Sequence, residues 1–130
     1  MSDHTIYPTG NCFDDALEYL SERVAKDRIL IDSGTLVLVH AIVLQPDGPD
    51  EGKPFAHAWV EEGGRMFQGG IYQGERIIWS ADKDEILSAL RVQEFARYTP
   101  REAAVENKRT RHFGPWLEKF EALCKPKEKP

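Results

Sequence analysis

Residues 36–68 read LVLVHAIVLQPDGPDEGKPFAHAWVEEGGRMFQ, and the order of patterns within them decides the fold. Leu36–Leu44 is rich in β-branched residues and apolar on both alternating sets of positions. That pattern predicts a strand covered on both faces, in the middle of a sheet. Gln45–Pro54 gathers proline, glycine and aspartate at a density that blocks helix and ladder alike, which predicts a surface loop. Phe55–Glu62 resumes the strand pattern, Gly63–Gly64 supplies a turn, and a shorter strand near Arg65–Gln68 completes a hairpin.

Upstream, Phe13, Ala16, Leu17, Leu20 and Val24 recur at helical spacing, so residues 12–26 predict an amphipathic helix. Asp14, Asp15 and Glu18 lie near its start and Arg23 and Lys26 near its end, each sign at the favourable pole of the helix dipole. Downstream, a strand is expected near Glu75–Trp79, a short helix over Asp82–Leu90 and another strand over Arg91–Tyr98. Thr99, Pro100 and Glu102 form an N-cap, a first-turn proline and a capping box, which predicts a helix from Pro100 to about Lys108. His112–Trp116 must break it, and a final short helix would use Trp116, Leu117, Phe120 and Leu123. The expected class is α+β: an antiparallel sheet with an N-terminal helix carrying Cys12 packed against it. One domain over residues 1–124 is expected, with the apolar-free tail at 125–130 disordered.

The chain has 130 residues, enough to bury one core without disulfides or metal. With 17 basic and 22 acidic residues, its net charge of −5 opposes a nucleic-acid partner. The KRTRH cluster at 108–112 reads as a solvated helix end. No apolar run is long enough to span a bilayer, and the first residues have neither the basic nor the apolar segment of a secretory signal. The expectation is a cytoplasmic protein with no membrane partner. Cys12 and Cys124 are distant and lack metal-ligand spacing with the histidines, so neither a disulfide, a metal nor any other cofactor is expected.

Cys12 stands in the first turn of the opening helix, where unpaired N–H groups and the helix dipole favour a thiolate. Asp14 and Asp15 act against that effect. On the 55–62 strand, Phe55, His57 and Trp59 share one face and Ala56 and Ala58 the other. An imidazole on a rigid strand opposite a helix-borne thiol is a base for a cysteine nucleophile, so Cys12 and His57 form the candidate pair. His40, in mid-strand, competes for that role or is a buried imidazole satisfied by the backbone. Asn11 is either a helix cap or an amide beside the Cys12 N–H at an oxyanion site. Trp59, Trp116 and Tyr98 are candidate pocket walls or core aromatics, and Glu61 and Glu62 are expected to be solvent-facing or hairpin-edge charges rather than catalytic acids.

A glycine-asparagine-cysteine helix start followed by H-A-W-V-E on a strand resembles the papain-like superfamily in its compact, transglutaminase-like form, over roughly residues 10–70. The later YTPREAA and GPW segments look similar to those of small uncharacterised bacterial and phage proteins that carry an H-A-W-V-E strand. The resemblance implies Cys12 as nucleophile, His57 as base and a papain-like core. It places Gln68 where such enzymes carry the residue that orients the imidazole, an amide in place of an acid. What it implies is a thiol-dependent hydrolase or acyl transferase acting on a peptide, isopeptide, small amide or ester. The competing expectation is a catalytically silent binding module of the same fold.

Overall fold

A computed structural model of the chain describes residues 11–45, 48–49, 51–72, 75–89, 91–118 and 120. The elements follow as α1 (Asn11–Lys26), a 3-10 turn (Arg28–Ile31), β1 (Leu36–Leu44), β2 (Pro54–Glu62), β3 (Arg65–Tyr72), β4 (Glu75–Asp82), α2 (Lys83–Ala89), β5 (Arg91–Tyr98) and α3 (Pro100–Thr110). The five strands form one antiparallel sheet in the order β4-β3-β2-β1-β5. β1 is interior, as its two-sided apolar pattern requires, but the central strand is β2. No helix among the described residues is long and apolar enough to cross a membrane.

Strand alternation sorts the side chains onto two faces. Leu36, Leu38, Ala56, Ala58 and Val60 pack against Cys12, Phe13, Ala16, Leu17 and Leu20 of α1, with Ala103 of α3 closing the same layer. Each large apolar side chain fully buried there contributes about 1.5–3 kcal/mol. On the other face Val39, Ala41, Val43, Trp59 and Met66 meet Ile86 and Leu87 of α2. The sheet thus lies between α1 with α3 on one side and the short α2 on the other.

Local chemistry sets the boundaries. Asp82 caps α2, its Oδ1 accepting from the N–H groups of Asp84 and Glu85 at 2.9 and 3.2 Å, so the helix begins at Lys83. Thr99 and Glu102 form the capping box, and Arg111 in the left-handed conformation ends α3 two residues beyond the expected limit. Past it, Phe120 is buried as a helix face would require, whereas Leu117 is exposed. Leu123 and the tail at 125–130 lie outside the described residues.

Candidate functional site

The ladder between β2 and β3 is short. Val60, Glu61 and Glu62 pair with Phe67, Met66 and Arg65, and the register would continue to Trp59 opposite Gln68 and Ala58 opposite Gly69. It stops there, while β2 remains paired with β1 down to Pro54 and β3 with β4 as far as Tyr72. The sheet therefore forks, and the first turn of α1 enters the fork. On one side the Ala58 N–H donates to the Cys12 sulfur. On the other, α1 rests directly on Gly69: a Cβ there would lie 2.1 Å from Asp15 Oδ2 and 2.6 Å from its Cβ. Gly69 is therefore required by close approach rather than by backbone angles.

Gly69→Ala tests this wedge. The added methyl must push α1 out of the fork, and overpacking of this kind costs about 1–3 kcal/mol. A urea titration should show that loss, with a drop in Cys12 acylation alongside it.

His57 sits on the peptide that leads into Ala58, half-buried, with Phe55 and Trp59 rings on either side at 6.1 and 5.6 Å. Its Nε2–H donates to Gln68 Oε1 at 2.7 Å across the mouth of the fork. An amide oxygen only accepts, so this bond fixes the proton on Nε2 and leaves Nδ1 as the basic nitrogen. Burial lowers the His57 pKa and the bond to Gln68 partly opposes it. The imidazole is thus neutral and ready to take a proton at neutral pH.

Cys12 differs from the thiolate that its helix position suggests. It is buried, and burial pushes the thiol up to about 12. The N–H groups of Ala58, Cys12 and Phe13 pull it down and the Asp15 charge pushes it up, but desolvation outweighs the helix terminus. The resting pair is a neutral thiol and a neutral imidazole. The Asn11 amide falls outside the described side chains.

His40 lies on the α1 face, boxed by Phe13, Trp116 and Tyr98 at ring distances of 4.7, 4.9 and 5.1 Å. Gly114 closes the box: a Cβ on it would stand 2.6 Å from His40 Cε1. Neither ring nitrogen has a hydrogen-bond partner among the described residues, so the expected backbone satisfaction is absent. Burial lowers its pKa to about 3. With neither ring nitrogen hydrogen-bonded among the described residues, His40 is a packing residue, and Tyr98 and Trp116 are its walls.

Glu61 corrects another expectation. Its strand parity turns it onto the Trp59 face, where it is 5% exposed. Trp59 Nε1–H donates to Oε2 at 3.0 Å, Arg97 donates to Oε1 at 2.7 Å, and Lys83 Nζ stands 3.6 Å away. Burial raises the carboxyl, but those bonds and charges outweigh it and the net shift is downward. Glu62 is held by two bonds from Arg23 at 2.6 and 3.0 Å, so it is not a free surface charge either. No protein-family model matches the chain, and no characterised protein or solved structure is significantly similar to it. No three His, Cys, Asp or Glu residues among those described converge as metal ligands.

The sequence offers a signal for two of these features. The glycine pair after Gln68 marks a strand that something approaches closely, and Glu61 follows Trp59 at strand spacing. Nothing in the sequence announces that the ladder ends at Val60.

Proposed function

We propose that the chain is a thiol-dependent hydrolase or acyl transferase of papain-like type, with Cys12 as nucleophile, His57 as general base and Gln68 orienting His57. The observation that carries this reading is the fork. A single break in the sheet brings the helix-start cysteine to the Ala58 N–H from the α1 face, with the His57–Gln68 bond across the same gap on the Trp59 face. The resemblance assigns the nucleophile to Cys12 and the base to His57, and Gln68 stands where such enzymes carry an aspartate.

Because the resting thiol is neutral, attack and deprotonation are coupled. The Cys12 S–H proton passes through the fork to His57 Nδ1, from the Ala58 face of β2 to its Trp59 face, as sulfur bonds to the substrate carbonyl carbon. The imidazolium returns that proton to the leaving group as its bond to carbon breaks, giving an acyl-thioester. Water, deprotonated by His57, or an acceptor amine then releases the acyl group. The backbone N–H groups around the sulfur are donors for the developing oxyanion.

Mixing the protein with p-nitrophenyl acetate should add one acetyl group to Cys12, located by peptide mass spectrometry. Absence of that adduct in a folded protein would defeat the reading. Gln68→Ala leaves Nε2–H unpaired and frees the ring to rotate, so acylation should slow about 10- to 100-fold. Gln68→Glu places a negative charge at the imidazole, favours its charged form and should raise the His57 pKa, read from its NMR titration.

A catalytically silent binding module of the same fold is the second reading. The burial that raises the Cys12 thiol to about 12 favours it.

A further inference from the structure

The sheet face that carries His57 also carries a groove of about 410 Å³ between α2 and β5. Trp59, whose ring neighbours that of His57, forms part of its floor with Val39, Leu87 and Val92. A bulge in β5 opposite Ile42 and Val43 shifts the alternation, so that Val92, Phe95 and Arg97 all face the groove. Phe95 is 56% exposed, with the Arg97 guanidinium 5.9 Å from its ring centre.

Charge separates this groove from the rest of the surface. The chain carries a net charge of −5, yet Lys83, Arg91 and Arg97 line the groove against one carboxylate, Glu61. Glu61 is buried and already holds Trp59, Lys83 and Arg97. Arg91 is exposed and makes no hydrogen bond or ion pair among the described residues. The groove therefore presents an apolar floor, an exposed aromatic ring and a net positive rim, with its floor residue Trp59 against the imidazole.

We propose that this groove is the substrate-docking subsite and that it takes an acidic peptide, whose carboxylates meet Arg91 and the outer edge of Arg97 while an apolar side chain lies on Phe95 and Trp59. This rests on the reading of His57 as the catalytic base: the groove shares its face with that residue, and Cys12 meets the docked peptide through the fork from the opposite face. A second copy of this acidic chain is the competing occupant.

The test is fluorescence polarisation of a fluorescein-labelled peptide of alternating glutamate and leucine, against its lysine and leucine counterpart, titrated with the full chain. The acidic peptide should bind at least about tenfold more tightly, and added salt should weaken it. Arg91→Glu, at an exposed position that leaves the core intact, should reduce binding about fivefold or more. Phe95→Ala should weaken it without altering the salt dependence. Equal affinity for the two peptides, or no effect of Arg91→Glu, would overturn the proposal. So would light scattering that shows a dimer which Phe95→Ala dissociates. Cys12→Ala should bind the acidic peptide as the wild type does. Lost peptide selectivity with intact His57-dependent acylation refutes the groove alone, and intact selectivity with no acylation refutes the hydrolase alone.

Discussion

His57→Ala should slow acylation of Cys12 by p-nitrophenyl acetate about 100- to 10,000-fold at neutral pH, the range a positioned general base contributes. The expected size follows from the resting state of the pair. A thiol held up to about 12 has almost no thiolate at pH 7, so reaction depends on proton removal during attack. Of the two sheet histidines, His57 and not His40 has a basic nitrogen fixed by its partner, through the 2.7 Å bond from Nε2–H to Gln68. Cys12→Ala should abolish the adduct. His40→Leu should leave acylation near the wild-type rate, because the His40 ring is enclosed by Phe13, Tyr98 and Trp116. A rate that falls equally in His40→Leu and His57→Ala would instead point to a general loss of structure.

The second large effect is acid lability seated at His40. Its pKa is lowered by burial from 6.5 to about 3, so the unfolded chain takes up a proton that the folded chain refuses. Unfolding is then favoured as pH falls: the contribution of His40 to stability is complete above pH 6.5 and is lost progressively down to about 3. At about 1.4 kcal/mol for each pH unit the loss is on the order of 5 kcal/mol, comparable with the whole stability of many small domains. His57, also lowered by burial, acts in the same direction. Glu61 and Glu62 are lowered too, but their stabilisation is lost only as pH falls below about 4.5. The interval from 6.5 to 4.5 therefore belongs to the histidines. Urea titrations across that interval should show wild-type stability falling while His40→Leu falls much less. At neutral pH the leucine variant should be as stable or about 1 kcal/mol more so, since two unpaired buried nitrogens are removed. Parallel losses in the two proteins would assign acid lability elsewhere.

The sequence makes the elements legible because their signals are local. Helical spacing from Phe13 to Val24, two-sided burial in Leu36–Leu44, the Gly63–Gly64 turn and the Thr99 capping box each act within a few residues. Boundaries shift where a side chain intervenes, as Asp82 does at the start of α2. The site is less legible because it depends on what does not continue. Ladder pairing gives no sequence sign of stopping at Val60, so the fork that admits α1, and the contact of Asp15 with Gly69, arise only from the packed arrangement. Thiol ionisation fails for a related reason. Helix position is readable at Cys12, but the desolvation that outweighs it depends on residues scattered along the chain. The same holds for Glu61, whose partners Lys83 and Arg97 come from other elements.

The central claim is that Cys12 and His57 act as one coupled unit, and the pH profile of Cys12 acylation measures it most directly. Acetyl incorporation at Cys12 should be followed by mass spectrometry from acid to alkaline pH in the wild type and in His57→Ala, with Cys124 as the internal reference thiol. In the wild type, Cys12 reactivity should rise through an inflection below 6.5, where His57 loses its proton, and persist at neutral pH. In His57→Ala that inflection should vanish, leaving only a rise at alkaline pH above that of Cys124, whose profile should be the same in both proteins. A Cys12 profile unchanged by His57→Ala would contradict the coupling and leave the binding module as the function of this fold.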